Sequence, residues 1–498
     1  MPLALVLAPG AFAAAPTDPS AASQQPLALM HVGEALDHIG PQLADVPVLA
    51  ADTGLDLQHP DIAPRLFSLP QNTPAPDADN PGNPGGTVMA GAAGWDLIGG
   101  GDNVPNPFAL HPDADPSDEN GHGTLVAGLL GAAWNNGQGG AGIAPNARFV
   151  ALRTCWGNDE CYQYVQAAAF NWAADRGVRV VSMSWLSSNL PADQEQGLRD
   201  AITQHPNVLF VTIPSGNDGA YDVDDPVAQQ NKTGSMYPPY PCSLNAPNVL
   251  CVTTSSPSDD LDCGGYGATS VDVAVPTQNS ITTSRGGGFG GTGCATSFAA
   301  PTAAGLATIL FGIDPTATAA DVRSAIVDSA RKVPAFAGKS VSGGVADAVA
   351  AVDLFQSRRG IPGRTPGVSA PPAPPAPPSV PGAVADTTAP VLTVTISPAA
   401  FRAGGLGARL AAKRGARMRI GLSEPALVKI TVKRASARRP SGLLKRSIGP
   451  GTTTLPFVAL DKRGRRLPPG RYKASAVATD LAGNKSRVAT VTFTVNRG

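Results

Sequence analysis

Long apolar runs are missing from this chain. No segment reads as the roughly 18 consecutive apolar residues of a membrane helix, so the sequence is expected to hold no membrane span. Paired metal-binding cysteines are missing as well. The six cysteines stand at 155, 161, 242, 251, 263 and 294, with no C-x-x-C and no nearby histidine pair, which excludes the usual zinc ligand spacings. No stretch has the spacing of an EF-hand. Acidic residues are nearly absent from residues 387–498, which hold only Glu424, Asp461 and Asp480. The same segment holds 22 of the 37 Lys and Arg residues, a charge of about +19. The rest of the chain is left with 15 basic and 35 acidic residues, about −20, and the near-neutral total of −1 hides the split. Such asymmetry suggests an anionic partner for the basic part. That part is poor in aromatics, with a single tyrosine. It therefore lacks the stacking platforms that single-stranded nucleic acid requires, and we read it as facing an anionic polymer such as that of a cell wall.

Glycine and proline are abundant, at 56 and 49 of 498 residues. The length suggests at least two domains. Leu3 to Ala15 is apolar and ends in small residues, with Ala11-Phe12-Ala13 as an A-x-A cleavage site. Residues 1–15 therefore read as the back half of a secretory signal without its charged front. An even cysteine count fits export and three disulfides, although six cysteines allow 15 connectivities. Cys155–Cys161 and Cys242–Cys251 each close a short local loop, which leaves Cys263 with Cys294.

Residues 16–356 read as one α/β domain. Short apolar runs at 46–51, 148–152, 178–183, 207–213, 248–253 and 271–275 are continuous rather than alternating, as in strands of a parallel sheet buried on both faces. Helical stretches are expected at 122–134, 161–176, 192–204, 315–332 and 345–356, so the sheet is doubly wound. Residues 67–118 read as one long loop. Residues 357–390 include APPAPPAPPSVPG, an extended polyproline-type linker. Alternating runs at 391–396, 417–422, 427–434, 472–479 and 488–495 predict a small antiparallel β-sandwich over 391–498, broadly similar to Ig-like or fibronectin-like accessory modules.

Three segments carry chemistry. Asp52 ends an apolar run, in DTGLDLQHPD; His122 opens a helix, in NGHGTLVAG; Ser297 lies on a Gly-rich turn into an apolar helix, in GTGCATSFAAP. A serine hydroxyl, an imidazole to take its proton and a carboxylate to hold the imidazole are the parts of nucleophilic acyl transfer. Asn217, in IPSGNDG, can offer an amide to the oxyanion of the tetrahedral intermediate, with the Ser297 N–H as the second donor. Each segment alone is common, but their combination in this order resembles the subtilisin-like serine peptidases (subtilases), over roughly residues 46–354. The resemblance implies a serine endopeptidase acting on proteins or peptides, with Asp52, His122 and Ser297 as its triad, Asn217 as its oxyanion residue and no cofactor in the chemistry. It implies a substrate cleft walled by Ser184-Trp185-Leu186 and Pro214-Ser215-Gly216, neither wall holding an acid to pair a basic side chain. It also implies a folding pro-segment, for which the stretch between Ala13 and Asp52 has no room.

The pattern has departures. Ala295 stands where glycine is usual, Phe298 replaces a methionine, Leu125 replaces a non-catalytic histidine, and Leu186 replaces a glycine and narrows the expected cleft. Subtilases often hold structural calcium, and Asp96, Asp102, Asp113, Asp115 and Asp118 cluster before His122 as candidate ligands. A second D-T-G is absent, which excludes the two-carboxylate aspartic mechanism. The remaining alternative is an inactive subtilase serving surface adhesion or polymer binding.

Overall fold

The computed structural model describes residues 15–39, 43–76, 86–99, 110, 112–156, 161–187, 192–217, 219–233, 235, 237–363, 389–402, 416–423, 426–434, 442–448, 451–457, 467–479 and 485–496. The expected signal at 1–15 and most of the proline-rich stretch lie outside them. The chain divides into two compact units, Met1–Pro374 and Pro375–Gly498.

The first unit is built on the apolar runs read from the sequence. They form β1 (Val46–Ala50), β2 (Ala147–Phe149), β3 (Val180–Ser182), β4 (Leu209–Thr212), β5 (Val249–Ser255) and β6 (Val273–Pro276), joined by two short strands, β7 (Arg331–Lys332) and β8 (Gly344–Val345). The sheet order is β7-β8-β6-β5-β4-β3-β1-β2. All pairings are parallel except β7 with β8. Strands β3 to β6 are buried along their whole length, the condition that makes such runs continuous rather than alternating.

Helices α1 (His122–Gly131), α2 (Gln163–Ala174), α3 (Ala192–Thr203), α4 (Thr296–Ile313), α5 (Ala319–Asp328) and α6 (Ala348–Arg359) accompany the sheet. The expected helix at 315–332 is shorter because Thr318 and Asp321 form a capping box that fixes its start, while residues 331–332 are drawn into the sheet as β7. Asp347 caps α6, and Gly360 ends it in the left-handed region.

Two sequence readings are corrected. First, α4 is 18 residues long with a mean hydropathy of 1.4, enough by length and composition to cross a membrane. It was passed over because Thr, Gly and Pro interrupt it. It is 83% buried inside this unit and is therefore its core helix. Second, residues 67–118 are not wholly loop: Gly94–Asp96 pairs in parallel with Ala151–Arg153. Trp95, Leu97 and Ile98 are buried in the second core cluster. Gly94 hid this strand, since glycine is a poor strand former. It is needed because a Cβ there would overlap the Ala151 carbonyl.

The three disulfides are Cys155–Cys161, Cys242–Cys251 and Cys263–Cys294, as the loop lengths suggested.

The second unit holds two sheets on one core. Strands β9 (Leu392–Ser397), β11 (Ala416–Leu422) and β14 (Gly451–Phe457) make one, in the order β9-β11-β14. The other has the order β10-β16-β15-β12-β13, with β10 (Ala400–Arg402), β12 (Ala426–Arg434), β13 (Gly442–Ile448), β15 (Gly470–Thr479) and β16 (Ala489–Asn496). Val394, Met418 and Ile420 from the first meet Val428, Ile430, Tyr472 and Phe493 from the second. Strands β10, β13 and β14 were not anticipated.

Candidate active site

Asp52 lies just beyond the end of β1, and its main chain is held before its side chain acts. Its carbonyl oxygen accepts from the N–H groups of Thr154 and Cys155 at 2.9 and 3.1 Å. The preceding carbonyl, of Ala51, accepts from the indole N–H of Trp185 at 3.1 Å. The carboxylate is buried, with its side chain 5% exposed, and faces an imidazole that is 32% exposed. His122 Nδ1 stands 2.8 and 2.9 Å from Asp52 Oδ1 and Oδ2. The carboxylate thus selects the tautomer protonated at Nδ1 and leaves Nε2 able to take a proton.

The close approach of these residues rests on glycine. Gly54 has φ of +98°, a region that side-chain-bearing residues avoid. A Cβ on Gly123 would overlap the Gly54 carbonyl. The D-T-G turn and the start of α1 can therefore touch only because both positions lack side chains.

A buried carboxylate ties them together. Asp118 is 4% exposed. Its Oδ1 accepts from Thr53 Oγ1 at 2.9 Å, from Asn120 N at 2.9 Å and from Gly121 N at 2.7 Å. Its Oδ2 accepts from Thr124 N at 2.8 Å and Thr124 Oγ1 at 2.6 Å. Thr53 follows Asp52, Thr124 lies two residues after His122, and Thr53 Oγ1 also accepts from Gly123 N at 2.9 Å. Burial pushes the Asp118 carboxyl up, while the bonds from Thr124, Gly121 and Thr53 oppose that shift. Asp118 and Thr124 stand close together in DENGHGT, but composition marks Asp118 only as one acid of an acidic loop.

Ser297 is the second residue of α4. Pro301, four residues later, has no N–H to give the Ser297 carbonyl. Ser184 Oγ donates to that carbonyl instead, at 2.8 Å, and the Ser297 hydroxyl lies 3.4 Å from the Ser184 carbonyl. The buried Ser184 side chain thus holds the serine turn. Ala295 has an extended backbone, φ −158° and ψ 138°, so its methyl costs no strain. Asn217 is exposed. Its Oδ1 accepts from Thr296 N at 2.7 Å and Thr296 Oγ1 at 3.0 Å. A backbone N–H can only donate, which fixes the amide with Nδ2 turned away from Thr296.

Asp52, His122, Ser184 and Trp185 line one cavity of about 70 Å³, together with Thr53, Asn120 and the Cys155–Cys161 pair. Trp185 reaches it from the core, being 7% exposed. Leu186 is half-buried against the main core. Across from them Pro214 and Ser215 are buried, and only Gly216 is exposed. Ser215 Oγ accepts from Gly265 N at 2.6 Å and donates to the Gly216 carbonyl at 2.9 Å, so its hydroxyl is occupied within the domain.

The acids before His122 do not gather as a cation site. Asp96 pairs with buried Arg153 at 3.0 Å and accepts from the N–H groups of Ile98 and Gly99. Asp113 and Asp115 accept from their own loop's N–H groups, Asp118 is saturated, and Asp102 lies outside the described residues. A carboxylate oxygen without a partner occurs elsewhere, at buried Asp61 Oδ2. Desolvation raises the Asp61 carboxyl to about 6, with Asp18 adding a like charge and Asn136 opposing the rise. Asp18 is itself buried and accepts from the N–H groups of Asn135, Asn136 and Gly137. Nearby His59 is buried and structural: Nε2 donates to the Gly288 carbonyl at 2.7 Å and Nδ1 accepts from Asp61 N at 3.1 Å.

Replacing Asp118 by asparagine puts an NH₂ group against N–H and O–H donors. Asp118→Asn should destabilise the protein by about 2–3 kcal/mol, the scale of a lost charged hydrogen bond with a donor left unmatched. The urea midpoint checks this; an unchanged midpoint would show that the five contacts are idle.

Comparison with known proteins agrees with this geometry. The model of the subtilase family matches residues 45–349, more than half of the chain. Thermitase of Thermoactinomyces vulgaris is 26% identical over 57% of this chain and 81% of its own length. Subtilisin BL of Lederbergia lenta is 26% identical over 45% of this chain and 80% of its own. A thermophilic serine proteinase of Bacillus sp. strain AK1 is 28% identical over 53% of this chain and 51% of its own. Among solved structures, a protease of Pseudoalteromonas arctica superposes with a TM-score of 0.52 and 22% identity, over 68% of this chain and 99% of that one, a likeness of fold. With a family match of that length on a parallel sheet whose β1, β3 and β4 lead at their carboxyl ends into Asp52, Ser184 and Asn217, the chain belongs to the subtilase family and is a subtilisin-like serine endopeptidase.

Proposed function

We propose that Asp52, His122 and Ser297 are the catalytic triad of an exported endopeptidase and that Asn217 is its oxyanion donor. The observation that carries this reading is the buried Asp52 carboxylate 2.8 Å from His122 Nδ1. In the proposed cycle Ser297 Oγ attacks the scissile carbonyl and His122 Nε2 takes its proton. Asp52 stabilises the imidazolium, and His122 then returns the proton to the leaving amine. The charge on the tetrahedral oxygen is met by the Ser297 N–H and Asn217 Nδ2, an amide already oriented by Thr296 and so needing no reorganisation as charge develops. Asp118, Thr53, Thr124 and Ser184 are positioning residues.

The substrate is a protein or peptide. Neither Ser184–Leu186 nor Pro214–Gly216 contains an acid, which supports small or apolar side chains at the cleaved residue. Three disulfides among six cysteines support an oxidising, extracellular compartment. The basic β-domain is an accessory module for an anionic polymer. A calcium-type cation would be held by Asp61 and Asp18, where it would compensate two buried carboxylates and tie the N-terminal arm to residues 135–137; it has no part in the chemistry.

Ser297→Ala should lower kcat by about 10⁶, the scale for losing a subtilisin-type nucleophile. A fluorophosphonate probe should label the wild type alone, and equal labelling of both proteins would refute the assignment. Asn217→Ala should cost about 10²–10³ in kcat with KM nearly unchanged; a loss mainly in KM would make Asn217 a binding residue. Adding Ca²⁺ should raise the thermal midpoint of the wild type, and Asp61→Asn should abolish that response. A calcium response surviving in Asp61→Asn would move the cation elsewhere.

A further inference from the structure

The five-stranded sheet of the basic domain has a core face and an outer face. Val428, Ile430, Val432, Tyr472, Ala474, Ala476, Phe493 and Val495 are buried on the core side. The alternate residues therefore share the other face. On β12 these are Lys429, Thr431 and Lys433; on β15, Arg471, Lys473 and Ser475; on β16, Thr490, Thr492 and Thr494. The four cations among them are exposed. Register sets them in rows. Lys433 is directly opposite Lys473, which is opposite Thr492. Thr431 is opposite Ser475, which is opposite Thr490, and Arg471 is opposite Thr494. On the far side of β12, Lys445 of β13 takes the position opposite Lys429.

The row of Lys433 and Lys473 thus sets lysine against lysine across neighbouring strands. Side chains so placed are about 5 Å apart at Cβ, and like charges there destabilise a sheet. Among the described residues no acid stands on the strands of this sheet. A face that keeps this repulsion, with threonines opposite Lys473 and Arg471 and Val477 opposite Lys429, is matched by anions.

We infer that this face binds a flexible phosphate-bearing polymer that has no bases. The inference deepens the accessory-module reading and is independent of the triad. Two features select the polymer. Tyr472, Phe493 and Phe401 are all buried, so among the described residues the face has no aromatic on which a base could stack. Five strands at about 4.8 Å spacing make a surface about 20 Å wide, too broad for the roughly 12 Å major groove of duplex DNA. A flexible chain can lie across the rows. Each phosphate group can take an ammonium on one oxygen and a threonine or serine hydroxyl on another. Lys429 and Lys433, four residues apart, are separated by about 13 Å along the strand, so successive phosphates of one chain can reach both.

The test uses the full-length protein and immobilised inorganic polyphosphate as a base-free phosphate chain, with single-stranded and duplex DNA beside it. Three proteins are compared: the wild type, the pair Lys433→Gln/Lys473→Gln, and the pair Arg417→Gln/Arg419→Gln. Arg417 and Arg419 are exposed on the three-stranded sheet, so the second pair removes equal charge from the opposite face. We expect wild-type retention on polyphosphate exceeding that on either DNA. We expect at least a tenfold loss for the lysine pair and less than a threefold loss for the arginine pair. The slope of log affinity against log salt should fall by about two for the lysine pair. Its thermal midpoint should not fall, since the opposed charges are relieved, which separates lost binding from unfolding. Cleavage of a small soluble peptide should be the same in all three proteins; that arm reports on the triad alone. Equal losses for the two pairs would overturn the inference, reducing it to net charge. Tighter retention on DNA, or no retention on polyphosphate, would overturn it as well.

Discussion

The candidate active site depends on one buried carboxylate that takes no part in the proposed chemistry. Asp118 gathers donors from the segment after β1, from its own turn and from the start of α1. It reinforces the direct contact of the two glycine-rich segments, where Gly123 N donates to Thr53 Oγ1. A carboxylate suits this task because it accepts along several directions and cannot donate. Five donors converge on it, and each charge-assisted bond is stronger than a neutral one. The approach of Asp52 to His122 is thus supported from below, by a carboxylate outside the cavity lining.

The serine side is held by a different device. Pro301 removes one helical hydrogen bond at the second residue of α4, and the freed carbonyl is taken by Ser184 from beyond β3. Thr296 takes the oxygen of Asn217. These contacts couple the start of α4 to the carboxyl ends of β3 and β4. Open parallel sheets place their ligand sites there, because the loops beyond the strand ends converge. The buried length of α4 gives the arrangement a rigid support.

Both units keep charge at a cost to local stability. In the first, Asp61 and Asp18 are buried near each other, and one oxygen of Asp61 has no protein partner. In the second, Lys433 faces Lys473 with no acid in the sheet. Places where local rules are broken in this way are where functional or strained sites are expected.

The sequence by itself determined the class of the first unit and marked the residues proposed as its reactive groups. Short continuous apolar runs fit strands covered on both faces, and they mark β1 to β6 to within about two residues at most ends. Asp52, His122, Asn217 and Ser297 stood out because glycines, a strand end and a helix start surround them in a fixed order. The cysteine pairs were legible from short loop closure. What only the tertiary structure decided was the work of the polar residues around them. Asp118 looked like one acid in an acidic loop, and five donors from separate segments define its role. Ser184 and Ser215 were legible only as residues of the expected cleft walls; that their hydroxyls meet a carbonyl freed by Pro301 and the N–H of Gly265 is visible only in the fold. The strand at Gly94–Asp96 was hidden by a glycine that is needed only because Ala151 passes against it. Periodicity records which side of the backbone is buried. Hydrogen-bond partners far apart in the chain leave no period, and they appear only when folding brings them together.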